Sequence, residues 1–244
     1  MFFLPVYSPT GRLTLPRAGR ALKGWKKAMP GSTRRPLPWS VCCGIALDLA
    51  LRQLGAMALC WLIMIDAYLR PSEACELRVA QVIPRQAGKG LGKTALHLNP
   101  DYMQRLSKTG ELDESVLINR DWLGQLLESY AKQRPQEGRL WPFLLPELRK
   151  EFMQSAEKAG VKFLQPVLYM GRHSGASLDR LEGRLSLAEV MKRGRWRATS
   201  SVARYEKRAL VQEVLHRMRT GDKAYCLRAE AAIGGVLRRR FARG

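Results

Sequence analysis

Apolar and polar positions recur at two different spacings along the chain, and together they predict a mainly helical fold with a small sheet. Residues 40–69 are rich in Ala and Leu and break at Gly55, which predicts two helices or one bent helix. Three short segments alternate as strands do, namely 77–83, 94–98 and 115–118. Because the second and third flank a polar stretch, 99–113, the three segments predict a small antiparallel sheet.

Five further helices are predicted after the sheet, because each has a start or a stop signal at its ends. In chain order, these helices are one capped by Asp121, one from Pro146 to Gly160, one over 171–181, one over 186–193 closed by Gly194, and one capped by Ser200 or Ser201. The last of these helices carries Tyr205 in its first or second turn.

A compact domain is predicted over residues 39–220, with a basic segment on either side. Residues 1–38 contain eight Lys or Arg, no acid and six Pro, which predicts a linker or the remnant of a preceding N-terminal domain. Within this segment, Pro16 to Lys27 predicts a short basic helix. Residues 221–244 predict a basic C-terminal tail that packs on a neighbouring protomer or contacts phosphates.

The balance of charge indicates a polyanionic partner. The chain has 42 Lys and Arg against 21 acids in 244 residues, a net charge of +21, and nucleic acid is the usual partner of so basic a domain. A surplus of solvated surface cations is the simpler alternative. Apolar residues make up 46%, enough for a core, and the longest apolar run, 55–65, is shorter than the ~20 residues that span a bilayer. The N-terminus lacks the basic start of a signal peptide, so an intracellular location is expected.

Cysteine and histidine usage predicts neither a disulfide framework nor a metal site. The five Cys are an odd number without a CxxC pair, and the chain has only three His. No metal and no cofactor are therefore expected, and the cysteines suit a reducing compartment.

Four short motifs carry residue types that suit chemistry on a phosphate. In the first, LRPSE, Arg70 is followed by Glu73, an acid able to orient the planar guanidinium fork that binds phosphate. The second is YMGRHS at 169–174, and the third is RGRWR at 193–197. In the fourth, ARYEK, Tyr205 follows Trp196 by nine residues.

In this order the motifs resemble those of the tyrosine recombinase, or phage integrase, family of enzymes that break and rejoin DNA. Arg70 matches the arginine that this family carries in an LRxSE-like context, and Arg172 followed by His173 matches its His-x-x-Arg-His element. Trp196 after Gly194 matches its Gly and His/Trp element. The nucleophilic tyrosine follows that element by nine residues, as Tyr205 does. The resemblance covers roughly 39–210, and the segments RGRW and RYEK resemble recombinases of eukaryotic mobile elements more than bacterial ones.

The resemblance implies the catalytic fold of this family and a reaction that needs neither metal nor ATP. Tyr205 would attack the scissile phosphate and form a 3′-phosphotyrosyl bond, which conserves the energy of the phosphodiester. Arg70 and Arg172 would neutralise the phosphate oxygens. Trp196 would donate its indole N–H, and Glu73 would hold Arg70 in place.

The resemblance also implies which residues transfer protons. The family places a lysine between the second and third strands as general acid, and Lys108 lies there, with Lys93 in reserve. His173 would donate a hydrogen bond or assist proton transfer. Tyr169 stands where the family has His, and a phenol with an ordinary pKa of ~10 is a poor base at neutral pH.

Double-stranded DNA is the expected partner, bound by protomers that associate on it as a synaptic tetramer. The candidate phosphate contacts are the basic residues near the motifs and in the N-terminal segment, namely Arg193, Arg195, Arg197, Arg204, Lys26 and Lys27. The expected compartment is the nucleus for a eukaryotic protein and otherwise the cytoplasm or nucleoid.

Other functions compete with an active recombinase. A DNA-binding remnant of a mobile element that no longer cuts is favoured by Tyr169 and by the short N-terminal segment. An RNA-binding protein without chemistry lacks a recognisable RNA-binding motif, and a type IB topoisomerase would be longer. Each residue also has an ordinary explanation by itself: Arg70 with Glu73 as a surface ion pair, Trp196 and Tyr205 in the core, Lys108 in solvent, and His173 with Ser174 as a cap.

Overall fold

The computed structural model describes residues 6–7, 13–29, 35–98, 100, 114–196 and 208–242, with the side chains of Val6, Tyr7, Leu13, Thr14, Lys26 and Arg208 left out. The chain divides into two compact units, residues 1–34 and residues 35–244.

The described part of the first unit consists of two paired antiparallel strands and one helix. Strand β1 (Val6–Tyr7) pairs with β2 (Leu13–Thr14), and helix α1 (Pro16–Ala28) follows, beginning at a proline as predicted. The described side chains of α1 are all exposed, and Trp25 is 66% exposed.

The second unit is mainly helical and contains a small three-stranded antiparallel sheet, which confirms the predicted class of fold. The sheet has the order β3-β4-β5. The elements in chain order are α2 (Trp39–Leu51), α3 (Gly55–Asp66), α4 (Pro71–Cys75), a 3-10 turn (Val79–Gln81), β3 (Val82–Ile83), β4 (Ala95–Leu98), β5 (Glu114–Leu117), α5 (Asp121–Lys132), α6 (Leu145–Lys158), a second 3-10 turn (Lys162–Leu164), α7 (Met170–Leu181), α8 (Leu187–Gly194), α9 (Arg208–Arg217) and α10 (Thr220–Phe241).

The first predicted strand, 77–83, is shorter in the structure, where only Val82 and Ile83 join β4. The preceding residues pair elsewhere: the Val79 N–H donates to the Gly138 carbonyl at 3.2 Å, and Leu77 accepts from the N–H of Leu140 at 2.9 Å. An alternating pattern shows which residues face the core, and it does not show which neighbouring segment satisfies their backbone groups.

Helix α3 is the centre of the second unit. All of its residues except Ala56 are buried, and the fully buried Trp61 donates its indole N–H to the Cys42 carbonyl of α2 at 3.1 Å. Among the described residues, no helix is both long enough and apolar enough to cross a membrane. The break predicted at Gly55 separates α2 from α3, so residues 40–69 form two helices.

The stretch predicted as a C-terminal tail is instead helix α10, which packs on α2. An apolar stripe at helical spacing is buried in this contact, namely Cys226, Ala229, Ile233 and Leu237. The basic residues of this stretch masked the stripe in the sequence. The unit also begins earlier than predicted, because Leu37 is fully buried and its N–H donates to the Ser174 hydroxyl at 2.8 Å.

Helix α7 packs closely on α3 through two glycines one turn apart, Gly171 and Gly175. A Cβ on Gly171 would lie 2.8 Å from the Trp61 ring. A Cβ on Gly175 would lie 2.7 Å from the Tyr68 ring and would collide with the Ile65 carbonyl oxygen. This close approach brings the first turn of α7 to the end of α3.

We expect Gly175→Ala to lower the free energy of unfolding by about 2 kcal/mol or more, because α7 must move away from α3 to admit the methyl group. Gly221→Ala is the matched control: it also lies in a helix, and nothing lies within 4 Å of its added Cβ. The control should be stabilised by up to ~1 kcal/mol through helix propensity. Urea denaturation of both variants measures the difference, and equal changes would contradict the close packing of α7.

Candidate active site

Arg70 lies at the start of α4, directly after a sharp turn. Tyr68 adopts a left-handed conformation (φ 50°), which ends α3 and redirects the chain. Pro71 then occupies the first helical position, and Glu73 reaches back to accept the Arg70 N–H at 2.8 Å. The Arg70 guanidinium also donates to Glu73, so this acid orients the arginine as the sequence predicts.

Arg172 reaches the same point from α7, and its side chain is only 1% exposed. Its Nη1 donates to the Tyr68 carbonyl at 2.6 Å and lies 3.9 Å from Glu73 Oε2. Its Nη2 donates to the Gly194 carbonyl at the end of α8. Two arginines that are about a hundred residues apart in the sequence therefore meet at one carboxylate.

The Trp196 ring stacks on the Arg172 guanidinium, and the ring centroid lies 4.7 Å from the guanidinium carbon. Helix α8 ends at Gly194, and Arg195 adopts a left-handed conformation (φ 52°) that turns the chain back. A Cβ on Gly194 would overlap the Trp196 ring. The Gly-x-Trp spacing found in the sequence is thus a steric requirement of this turn.

Arg195 completes the cluster, and its side chain is 6% exposed. It donates to Glu73 Oε2 at 2.8 Å and to Glu114 Oε2, at the start of β5, at 3.3 Å. Since Glu114 pairs with Leu98 in the sheet, the connection between β4 and β5 begins beside this cluster. Lys108 belongs to that connection and lies outside the described residues.

The structure does not bring Lys93 to this cluster. Lys93 precedes β4 at the end of the sheet opposite to Glu114. Its ammonium donates to the Asn119 carbonyl at 2.8 Å and lies 3.5 Å from Asp121. Of the two candidate lysines, only Lys108 is in a segment that starts next to the arginines.

The cluster carries more positive than negative charge in a buried setting. Burial, together with the neighbouring Arg195 and Arg70, lowers the pKa of Arg172 to about 10, so it remains a cation at neutral pH. Burial alone would raise the pKa of Glu73, but Arg195, the Arg70 N–H and the arginine charges hold it below its usual value. An incoming anion would relieve the repulsion among the three guanidinium groups.

Tyr169 and His173 lie at the first turn of α7, next to Arg172. Their rings meet edge to face, with centroids 5.0 Å apart and planes inclined by 65°. Both side chains are half-buried. The Tyr169 phenol therefore lies beside the arginine cluster, close enough for its charge to affect Arg172.

Asp66, which the sequence reasoning missed, holds the neighbouring turns together. Its buried carboxylate accepts the Asn119 N–H at 2.6 Å and Arg120 at 2.8 Å. Its carbonyl accepts Arg193, whose guanidinium also lies 5.1 Å from the Tyr68 ring centroid. The feature of the sequence that could have indicated this role for Asp66 is its position as a single acid at the end of a long apolar run.

Two residues predicted to contact DNA, Arg193 and Arg195, make internal contacts in the structure. Each side chain is at most 10% exposed and donates to groups of its own unit. Lys27 is exposed on α1. The other predicted residues, Tyr205, Arg197 and Arg204, lie outside the described part of the chain, as does the side chain of Lys26.

Within the described ranges, no group of three or more His, Cys, Asp or Glu is arranged to hold a metal ion. All five cysteines are buried and free. A scan against models of known protein families matches none of them, and a search of curated proteins finds no match either.

Proposed function

We propose that the chain is the catalytic part of a tyrosine recombinase that cuts and rejoins double-stranded DNA. The observation that carries the proposal is the convergence of Arg70, Arg172 and Trp196 at one point. These three residues belong to separate sequence motifs, and nothing in the local sequence requires them to meet. Their meeting is what a phosphate-binding site needs and what unrelated surface residues would not produce.

The arginine cluster suits a phosphodiester in a strand-transfer reaction. In the transition state, negative charge grows on the nonbridging oxygens, and preorganised guanidinium groups stabilise it. Arg70 supplies a fork that is already oriented by Glu73. Trp196 supplies a donor and an apolar wall that keeps water out.

The proposed chemistry proceeds in two steps that leave the number of phosphodiester-type bonds unchanged. The Tyr205 oxygen bonds to phosphorus, the bond to the 5′-oxygen breaks, and Lys108 protonates that oxygen. A 5′-hydroxyl of a second strand then attacks the phosphotyrosine and releases Tyr205. We assign to His173, beside Arg172, the proton that the Tyr205 hydroxyl loses in the first step and regains in the second, while Lys108 takes the proton of the incoming 5′-hydroxyl and Tyr169 donates a hydrogen bond.

A recombinase that exchanges strands holds two DNA duplexes, so the proposal includes association of protomers on DNA as a tetramer. The net charge of +21 supports binding to the phosphate backbone. The exposed Lys27 and the other basic residues of the N-terminal segment are candidate backbone contacts.

A DNA-binding chain that no longer cuts is the second candidate, and a specific observation favours it. Arg172 is 1% exposed, and both its terminal nitrogens already donate to backbone carbonyls. An active site must make part of this guanidinium available to phosphate. Tyr169, at the position where the recombinase family has His, also favours a chain that binds DNA without cutting it.

A covalent trap separates the two candidates. The purified chain is mixed with sheared genomic DNA of its own source, quenched with detergent and examined for protein attached to DNA. An active recombinase should give adducts whose nuclease-trimmed peptide carries the nucleotide on Tyr205, identified by mass spectrometry. Salt-sensitive DNA binding without any adduct would support the silent alternative.

A further inference from the structure

We propose that Arg195 is a positioning residue of this site, which holds Glu73 in the orientation that aims Arg70 at the phosphate. The inference rests on the proposed function, and it gives Arg195 a role that differs from the DNA contact expected from its sequence. Arg195 acts through Glu73 and does not itself touch the reacting atoms.

The geometry of Arg195 suits a bridge between two acids. Its Nη2 donates to Glu73 Oε2 and its Nη1 to Glu114 Oε2, so one fork joins α4 to β5. The side chain is 6% exposed, and the two acids are 15% and 9% exposed. Ion pairs this far from solvent are weakly screened and fix the groups they join.

The backbone of Arg195 fixes where the fork begins. The residue has a left-handed conformation, and its N–H donates to the Lys192 carbonyl at 3.0 Å as the C-cap of α8. The chain then turns so that Trp196 covers Arg172. One turn thus sets both the cover over Arg172 and the bridge to Glu73.

Glu73 needs this bridge because it has two tasks. Its Oε2 accepts both the Arg70 N–H and Arg195, while its Oε1 accepts the Arg70 guanidinium. Without Arg195, the Arg70 N–H is the one hydrogen bond left to Oε2 among the described contacts, so the carboxylate tilts more easily and Arg70 moves with it. A small displacement of a phosphate-binding group costs a large factor in rate.

Arg195 differs from its neighbour Arg193, which donates to the backbone carbonyl of Asp66 and lies over the Tyr68 ring. Arg193 supports the turn itself and has no contact with the Glu73 carboxylate among the described contacts. Arg193 therefore has a stabilising role, whereas Arg195 has a positioning role.

The test is a double-mutant cycle between Arg195 and Arg70, measured as the rate of DNA–protein adduct formation. The substrate is a duplex containing the target sequence recovered from trapped adducts. Arg195→Gln should slow adduct formation by at least about tenfold. In an Arg70→Ala background, the same change should cost little further, because the group it positions is gone.

Matched variants exclude a simple loss of folding or charge. Arg195→Lys keeps the charge and one of the two bonds, so it should recover part of the rate. Arg149→Ala removes one exposed arginine on α6 and should leave the rate unchanged. Thermal unfolding of each variant shows that the measured protein is folded.

The pH profile provides a readout that loss of stability would not move. The charged groups facing the Glu73 carboxylate are Arg70, Arg172 and Arg195. Since Arg195 helps to hold the pKa of Glu73 low, Arg195→Gln should raise it. Glu73 must be ionised to hold Arg70, so the acid limb of the rate profile should shift to higher pH in this variant.

The possible outcomes separate failure of the positioning role of Arg195 from failure of the proposed recombinase function. Adduct formation in the wild type, with a cycle that is not additive and a shifted acid limb, supports the positioning role. Adduct formation with purely additive losses, or with no loss in Arg195→Gln, overturns it and leaves the recombinase intact. No wild-type adduct with any DNA overturns the proposed function and the positioning role with it.

Discussion

Replacing Tyr205 with phenylalanine is expected to abolish the covalent DNA adduct while leaving DNA affinity nearly unchanged. The phenolic oxygen is the atom that bonds to phosphorus in the proposed reaction, and no other change in the side chain is made. In the proposed complex, phosphate contacts from many basic residues would supply most of the DNA affinity, so one hydroxyl should contribute little to it. The measurement is detergent-stable adduct on denaturing gels, together with a binding isotherm at a fixed salt concentration.

Tyr225→Phe is the matched control for this variant. The Tyr225 hydroxyl donates to the Gly44 carbonyl at 3.1 Å, in the contact between α10 and α2. Its removal should cost a modest amount of stability and leave the adduct in place. Adduct formation by Tyr205→Phe at the wild-type level would show that another residue is the nucleophile, and the family resemblance would then fail at its most specific point.

Replacing Arg172 with alanine is expected to slow adduct formation by about 10³-fold, the upper range for loss of one preorganised donor to a developing oxyanion. The buried guanidinium is the group on which Tyr68, Gly194 and Trp196 converge. Rapid-quench measurement of the first turnover on the recovered target duplex reports this loss directly.

The same substitution is also expected to lower stability, because it leaves the buried carbonyls of Tyr68 and Gly194 without a donor. Arg172→Lys therefore serves as the second variant. It keeps a cation in the cluster, but a single ammonium cannot span both carbonyls, so its rate should fall between wild type and Arg172→Ala. The rate is compared per folded molecule, with Arg149→Ala as the surface control. Wild-type rates in folded Arg172→Ala would remove Arg172 from the proposed site.

The local elements were predictable because their signals are local. Pro16 at the start of α1, Ser186 as the cap of α8 and the break at Gly55 are each visible within a few residues. The three strands and their antiparallel order followed from alternation and from the polar stretch between the last two. The pairing of Arg70 with Glu73 was also predictable, since both belong to one capping motif.

Other features depended on partners distant in sequence. The stripe on α10 appeared as part of a basic tail, and only its contact with α2 shows that Leu237 belongs to the core. Asp66 and Arg193 meet across more than a hundred residues. Arg195 looked like one more phosphate contact, and the structure turns it inward to Glu73 and Glu114.

The sequence by itself determined the class of fold, the limits of most helices and the residue types available for phosphate chemistry. These follow from hydrophobic periodicity, capping and charge, which act over one or two turns of chain. The tertiary structure decided which charges face one another, because close packing of α7 on α3 brings Arg172 to Arg70. With Arg172 buried and Arg70 partly buried beside it, their charges and those of Glu73 interact through a medium of low dielectric, and that coupling is absent from any single segment.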